Sequence, residues 1–325
     1  MAKQIILALQ GGGAHGAFTW GVLDRLLEDP DLEIIGVSGS SGGAINGTLV
    51  AYGLLTGGPQ AAHEVLHRFW HELAEISMFS PFQPTPLDRT ISKGNIWFNP
   101  LFAMFRFFIS TAFSPYQLNP FNINPLQWIL PSLIDFSVFR QSDRVKLFLG
   151  ATNVRTAESR VFSNKDVTVD AVIASACFPM LFHAVPIDGE YYWDGGYSAN
   201  PPITPLLMRS NCHDLLVVQV DSINFTQLPY TASQILDRST DMGFNAGVMQ
   251  EVKAIQIYNR FVEQGADLDG KLKPVRVHTI GSGDFYNNYD GSSKINNDWD
   301  WLLCQHDYGY AQTDRWLQAN RDRLG

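Results

Sequence analysis

The sequence is short of cysteine, of basic charge and of long apolar runs. Its three cysteines, Cys177, Cys212 and Cys304, lie far apart and none belongs to a CxxC pair. That excludes a disulfide framework and a CxxC zinc or redox centre, and leaves reduced thiols in a cytoplasmic protein as the expectation. Lys and Arg total 23 against 32 Asp and Glu, a formal net charge of -9. Nucleic acid wants the opposite sign in its partner, and anionic lipid gains no global attraction either. No stretch approaches the ~20 apolar residues of a membrane span. The nearest, LFAMFRFFISTAF (101–113), is too short and carries Arg106. The opening MAKQIILALQ runs straight into glycines, without the longer apolar core and small-residue cleavage site of a leader, so IILALQ reads as a first strand.

What is present is α/β grammar. Residues 5–10 are a short apolar run; 17–29 carry Phe18, Val22, Leu23, Leu26 and Leu27 at helical spacing. Residues 32–38 read as a strand and 44–55 as a helix, with a glycine loop at the end of each strand. Strand–loop–helix twice over predicts a parallel sheet covered by helices. A third helix is expected over 60–77. The segment 78–131 holds eight prolines and many phenylalanines, and proline at that density argues against long regular elements. Strands are expected again at 145–154, 159–163, 183–187, 191–193, 215–220 and 275–280, with helices over 170–176, 231–264 and 308–323. With no repeat and no linker, residues 1–325 are expected to form a single domain with a cap-like insertion at about 78–136.

Two glycine loops carry the chemistry. GGGAHG fits GxGxxG through Gly11, Gly13 and Gly16, between a strand and a helix. A dinucleotide site also needs an acid at the end of the second strand. Glu33 lies at its beginning and the strand ends in Gly36, Val37 and Ser38, which weakens an NAD-dependent reading; a Walker loop fails because Ala17 stands where Lys is required. The second loop, GVSGSSGGAING (36–47), offers Ser38, Ser40 and Ser41. A nucleophile elbow needs GxSxG, and Ser41 alone among the three has glycine, Gly39 and Gly43, at both required positions. It also opens a helix, whose N-terminus favours developing negative charge. A serine needs a base. The late histidines His183, His213, His278 and His306 sit in no motif-like loop, and His278 reads as a core residue. Asp194, in YYWDGGYSANPPI, precedes Gly195-Gly196 in a turn that would hold a carboxylate at a sheet edge.

GGGxxG, then GxSxG, then DGG, in that order, resembles the patatin-like phospholipase family in its bacterial branch. ASACFPMLFHAVPIDGEYYWDGG, SPYQLNPFNINP, DMGFNAGVMQEVKAI, VRVHTI and SSKINNDW add to the likeness, which runs over most of the chain. The resemblance implies a three-layer α/β/α sandwich with a central, mostly parallel sheet. It implies a lipid acyl hydrolase with a Ser41–Asp194 dyad, no histidine, no metal and no cofactor. Gly11, Gly12, Gly13 and Ala14, with Gly42 beside the nucleophile, would form the oxyanion hole; Gly16, Gly39, Gly43, Gly195 and Gly196 support the turns. The family usually has Arg where this chain has His15, partly charged near neutrality, which bears on head-group choice. The implied partner is a lipid or other acyl ester; the cysteines set the expected location as cytoplasmic, peripheral at the inner membrane surface only where the aromatic segment 78–131 is a cap that touches the bilayer. The alternative is a catalytically weak lipid- or partner-binding module.

HEVLH (63–67) matches the zincin motif, and with His71 gives three histidines on one helix face. The apolar stripe lies opposite, so these histidines are expected on a solvated face without a third ligand element. The aromatic segment, with Phe79, Phe82, Trp97, Phe98, Phe102, Phe105, Phe107, Phe108, Phe113 and Phe121, is expected either as a cap over an acyl pocket touching the bilayer through 78–131, or as extra core.

Overall fold

A computed structural model describes residues 2–111, 113–221, 228–266 and 274–325; the side chains of residues 107–111 and of Ser233 lie outside the description, Phe107 and Phe108 among them. In chain order the elements are β1 (Lys3–Leu9), α1 (Gly16–Leu27), β2 (Leu32–Gly39), α2 (Gly42–Thr56) and α3 (Gly58–Ser77). Then come α4 (Pro100–Thr111), α5 (Pro115–Leu118), α6 (Leu126–Leu133), α7 (Ser137–Gln141), β3 (Lys146–Asn153) and β4 (Ser159–Ser163). They are followed by α8 (Val169–Ser175), β5 (Val185–Ile187), β6 (Glu190–Asp194), α9 (Thr204–Arg209), β7 (Asp214–Gln219), α10 (Ala232–Glu263), β8 (Arg276–Gly281) and α11 (Trp299–Asn320).

The eight strands form one sheet in the order β5-β6-β3-β2-β1-β7-β8, with β4 also paired to β3. The run β3-β2-β1-β7-β8 is parallel; β4, β5 and β6 add antiparallel pairs. Alternation along β1 divides the core. Ile5, Leu7 and Leu9 point into a cluster with α1, α2, α3, α6, α8 and α11. Ile6 and Ala8 point into a second cluster with Ile203, Leu206 of α9 and Val248 and Ile255 of α10. A strand buried on both faces is the mark of a parallel sheet between two helical layers. Among the described residues no helix is long and apolar enough to cross a membrane.

Two expectations are corrected. The proline-rich segment does contain a regular element, the twelve-residue α4, which begins at Pro100; α5 likewise begins at Pro115. Proline at the first helical position gives up an amide that has no helical partner anyway, so these prolines start helices rather than forbid them. The closing helix begins at Trp299, not at 308, because Asp298 stands at its N-cap and Trp301 and Leu302 bury against the core. The aromatic rings are split between both expectations. Phe102 is buried and Phe82 stacks on Phe105, whereas Phe79 and Phe121 are each 87% exposed and Trp97, Phe98 and Phe113 are also exposed.

Candidate active site

Strand register places the three motifs side by side. Leu9 of β1 pairs with Gly39 of β2, and Gly39 pairs with Leu149 of β3. Two residues beyond each lie Gly11, Ser41 and Ala151, and Ala151 pairs with Asp194 of β6. The glycine loop, the serine and the aspartate therefore arrive level at the carboxyl edge of the parallel strands, where open α/β sheets hold their ligands.

Ser41 stands at the N-cap of α2 with φ 54 and ψ -128. A side chain in that left-handed region is strained, as expected for an exposed elbow between strand and helix. Its amide is held by the Ser175 carbonyl at 3.0 Å and the Ser175 hydroxyl at 3.2 Å. The glycines around it are clearances. A Cβ on Gly39 would overlap the Gly43 carbonyl, and one on Gly43 would overlap the Leu9 carbonyl. The other two serines are structural. Ser38 Oγ donates to the Pro202 carbonyl and Ser40 Oγ to the Ala199 carbonyl, both at 2.6 Å.

Ser41 lies close enough to Asp194 for its side chain to be among the groups that lower the carboxyl's pKa. Asp194 is 2% exposed. Burial raises its pKa to about 6, against hydrogen bonds from Ser41 and from the Gly196 amide, which donates at 2.8 Å. The backbone of Asp194 is fixed from behind: its amide donates to the Cys177 carbonyl at 2.9 Å and its carbonyl accepts from Thr152 Oγ1 at 2.8 Å. Phe244 of α10 packs on Gly196 and, edge to face, on Tyr197. None of the eight histidines is among the groups acting on Asp194. His278 is bonded to Asp214 at 2.9 Å and His306 to Asp24 at 3.0 Å.

Gly12, Gly13, Ala14 and Gly42 carry amides with no hydrogen-bond partner among the described residues. A Cβ on Gly42 would sit 2.9 Å from the Gly13 carbonyl and 3.6 Å from the Gly13 amide, so the two groups of donors adjoin. Gly11 is a correction: its amide already donates to Asn200 Oδ1 at 2.7 Å and is not free for an oxyanion. His15 is another. It is 3% exposed, stacked on Tyr286 at 3.8 Å and bonded through Nε2 to Ser293 at 2.9 Å. Burial, and then the charge of Lys294, hold its pKa well below the usual range, so it is a neutral core group rather than a partial cation. Asn200, Ser175 and Phe244 belong to the site and are missed by motif reading; the polar Asn200 inside the apolar ANPPI stretch was the available signal.

The zincin-like motif lies on α3. Among the described residues no group of three or more His, Cys, Asp or Glu could hold an ion. Of the histidines on α3, His67 is exposed, as expected from the sequence, whereas His63 and His71 are half-buried. His63 Nδ1 is bonded to Asp24 at 2.8 Å, and His67 and His71 pack edge-on against Trp299, because α11 crosses this side of α3.

A family model described as patatin-like phospholipase matches residues 7–207. No curated protein matches the chain. Similar solved structures include VipD from Legionella pneumophila, with 14% identity and TM-score 0.45 over 98% of this chain and 67% of that one. Human GIVD cytosolic phospholipase A2, solved with methyl gamma-linolenyl fluorophosphonate, has 13% identity and TM-score 0.46 over 99% and 59%. The ExoU–SpcU complex of Pseudomonas aeruginosa has 15% identity and TM-score 0.33 over 94% and 52%. The chain thus spans between about half and two thirds of these structures.

Proposed function

The chain belongs to the patatin-like phospholipase family, and from that premise we propose that it is a serine lipid acyl hydrolase working through Ser41 and Asp194, without metal or cofactor. One observation carries the reading: a strained, glycine-cleared serine lies beside, and acts on, a buried carboxyl group whose pKa sits at about 6. An ordinary carboxylate is a poor base for an alcohol; one raised toward neutrality is better matched to taking and returning a proton.

In this mechanism Ser41 Oγ attacks the acyl carbonyl carbon while its proton passes to Asp194. The carbonyl oxygen becomes an oxyanion, received by the amides of Gly12, Gly13, Ala14 and Gly42. The tetrahedral intermediate collapses, the ester C–O bond breaks, and Asp194 returns the proton to the departing alcohol. Water then attacks the acyl-enzyme, gives its proton to Asp194, and the second collapse frees the carboxylic acid and re-protonates Ser41.

The substrate is a lipid or other acyl ester. Residues 78–136 are proposed as a cap inserted in a single domain, touching the lipid surface through exposed rings such as Phe79, Trp97 and Phe121. That contact would place the protein at the inner face of a membrane as a peripheral, cytoplasmic enzyme. A fluorophosphonate probe tests the chemistry. Wild type is expected to be labelled at Ser41, and Ser41→Ala and Asp194→Asn to lose turnover while staying folded. No labelling of wild type would favour a binding module, and full turnover by either variant would sink the dyad.

A further inference from the structure

The segment just after the DGG turn reaches back to both other motifs. Ala199 and Pro202 accept from Ser40 and Ser38 of the elbow strand. Between them, Asn200 turns to the glycine loop and accepts the Gly11 amide at 2.7 Å. Asn200 is fully buried. Gly11 is wedged at the meeting point: a Cβ there would lie 2.6 Å from Ser41 Cβ and 3.2 Å from Asn200 Oδ1. Helix α10 closes the segment from outside, with Gly247 packed on the backbone of Ala199 and Asn200.

That single amide bond decides how the loop presents itself. Gly11 is followed by Gly12, extended at φ 171, and by Gly13, at φ 60 in the left-handed region that favours glycine, so the loop has little of its own to fix its direction unless its start is held. The neighbouring Gln10 is held as well: its Oε1 accepts the amides of Val220 and Asp221, and its Nε2 donates to Asn245. With Gln10 and Gly11 both fixed, the next amides have a set direction. An oxyanion hole depends on such preorganisation, because donors that must reorient give back much of their effect.

We infer that Asn200 is a positioning residue for the oxyanion hole: through the Gly11 amide it locks the glycine loop to the segment that carries Asp194. This deepens the hydrolase reading and rests on it. The bond needs an acceptor on the side chain at 200. The Asn200 Nδ2 group, buried and without a partner among the described residues, is not what holds the loop.

The test compares wild type with Asn200→Ala and Asn200→Asp on a soluble 4-nitrophenyl ester. Ala removes the acceptor; Asp keeps it. Asn200→Ala is expected to lower kcat by roughly 10–100-fold with KM changed less than about threefold. The acidic limb of its pH profile, set by Asp194, should stay in place, and Asn200→Asp should recover most of the lost kcat at pH values above that limb. Unchanged kcat in Asn200→Ala would overturn the inference. So would a displaced acidic limb, which would place the effect on Asp194, or an Asp variant as impaired as the Ala variant. If Asn200→Ala fails to fold, the Asp variant alone decides, since its kcat should remain within a few-fold of wild type. An inactive, unlabelled wild type would instead count against the hydrolase reading.

Discussion

Ser41 and Asp194 are brought level by strand register, Gly39 pairing with Leu149 and Ala151 with Asp194, and Ser41, rather than any histidine, is the side chain that acts on the carboxyl group. Burial is the largest influence on that carboxyl group and holds it at about 6, so its protonation state changes close to neutrality. If Asp194 accepts the Ser41 proton as proposed, it must be ionised, and kcat/KM on a soluble ester should fall about tenfold per pH unit below about 6. The limb should be absent in Asp194→Asn, whose residual rate is expected to be flat with pH. A wild-type limb near 4 would mean the carboxyl group behaves as if exposed.

The same shift makes Asp194 a cost to the fold. Its folded pKa lies above the unfolded value near 3.9, so between the two the folded chain binds more protons than the unfolded one. Its contribution to stability is complete below about pH 4 and is lost as pH rises through about 6. Asp194→Asn escapes that loss. The variant should be more stable than wild type above pH 6, by an amount on the order of 3 kcal/mol, and the difference should vanish near pH 4. Denaturant melts at pH 4, 6 and 8 check this.

Two adjacent glycines should separate folding from chemistry. Gly43→Ala drives a methyl group into the Leu9 carbonyl at the end of β1, where neither backbone can yield. It should abolish soluble expression or cost about 3 kcal/mol or more. Gly42→Ala meets the Gly13 carbonyl at 2.9 Å, a milder clash that the glycine loop must still move to relieve. That protein should fold with a smaller loss of stability than Gly43→Ala, yet lose roughly 10–100-fold in kcat as the donor amides move. Equal effects of the two substitutions on stability would contradict this division.

What could be read in advance follows from how local each signal is. Ser41 is fixed by glycine spacing within five residues and by the strand before and helix after it, and its elbow geometry follows. Asp194 could be proposed from a turn motif, but its distance to Ser41 depends on β2, β3 and β6 pairing in register. The neutral state of His15 was beyond reach, because the ring that buries it, Tyr286, comes from the other end of the chain. The commitment of the Gly11 amide to Asn200 was hidden for the same reason. Around α3 the expectation held for His67, which is exposed, but not for His63: helical periodicity separates apolar from polar faces, but cannot say that a polar face meets another helix.

That polar face gives a pH test of the fold away from the site. Asp24 of α1 is held between His63 of α3 and His306 of α11, one imidazole on each oxygen. Hydrogen bonding to Asp24 raises His63 above burial's opposing effect, and His306 rises too, against burial, through Asp24 and Asp307. Burial would raise Asp24, but its two imidazoles prevail and its pKa is lowered. The histidine contributions are complete below about pH 6.5 and are lost as pH climbs through their raised values. The Asp24 contribution is complete above about pH 4 and lost on acidification. His63→Gln should therefore weaken the protein near pH 6 and leave it nearly unchanged at pH 9, read as thermal midpoints.

The residue at position 15 tests how the fold has adapted to its departure from the family pattern. Arginine there would carry a permanent charge into a site that is 3% exposed, under Tyr286 and near the cation of Lys294. Lys294 already occupies the nearby acids, bonded to Asp221 at 2.9 Å and to Asp241 at 2.7 Å. A guanidinium would have to be buried without a free carboxylate, or push Lys294 from its partners. His15→Arg should thus destabilise the protein by about 3 kcal/mol or more. His15→Gln, which keeps a neutral donor for Ser293, should cost about 1 kcal/mol or less beyond the lost stacking on Tyr286. Because His15 is neutral, His15→Gln should also leave the acidic limb of the activity profile where Asp194 sets it. Denaturant titration of the two variants, with a pH profile of the glutamine variant, distinguishes this from a charged His15. A charged group would make arginine the milder change.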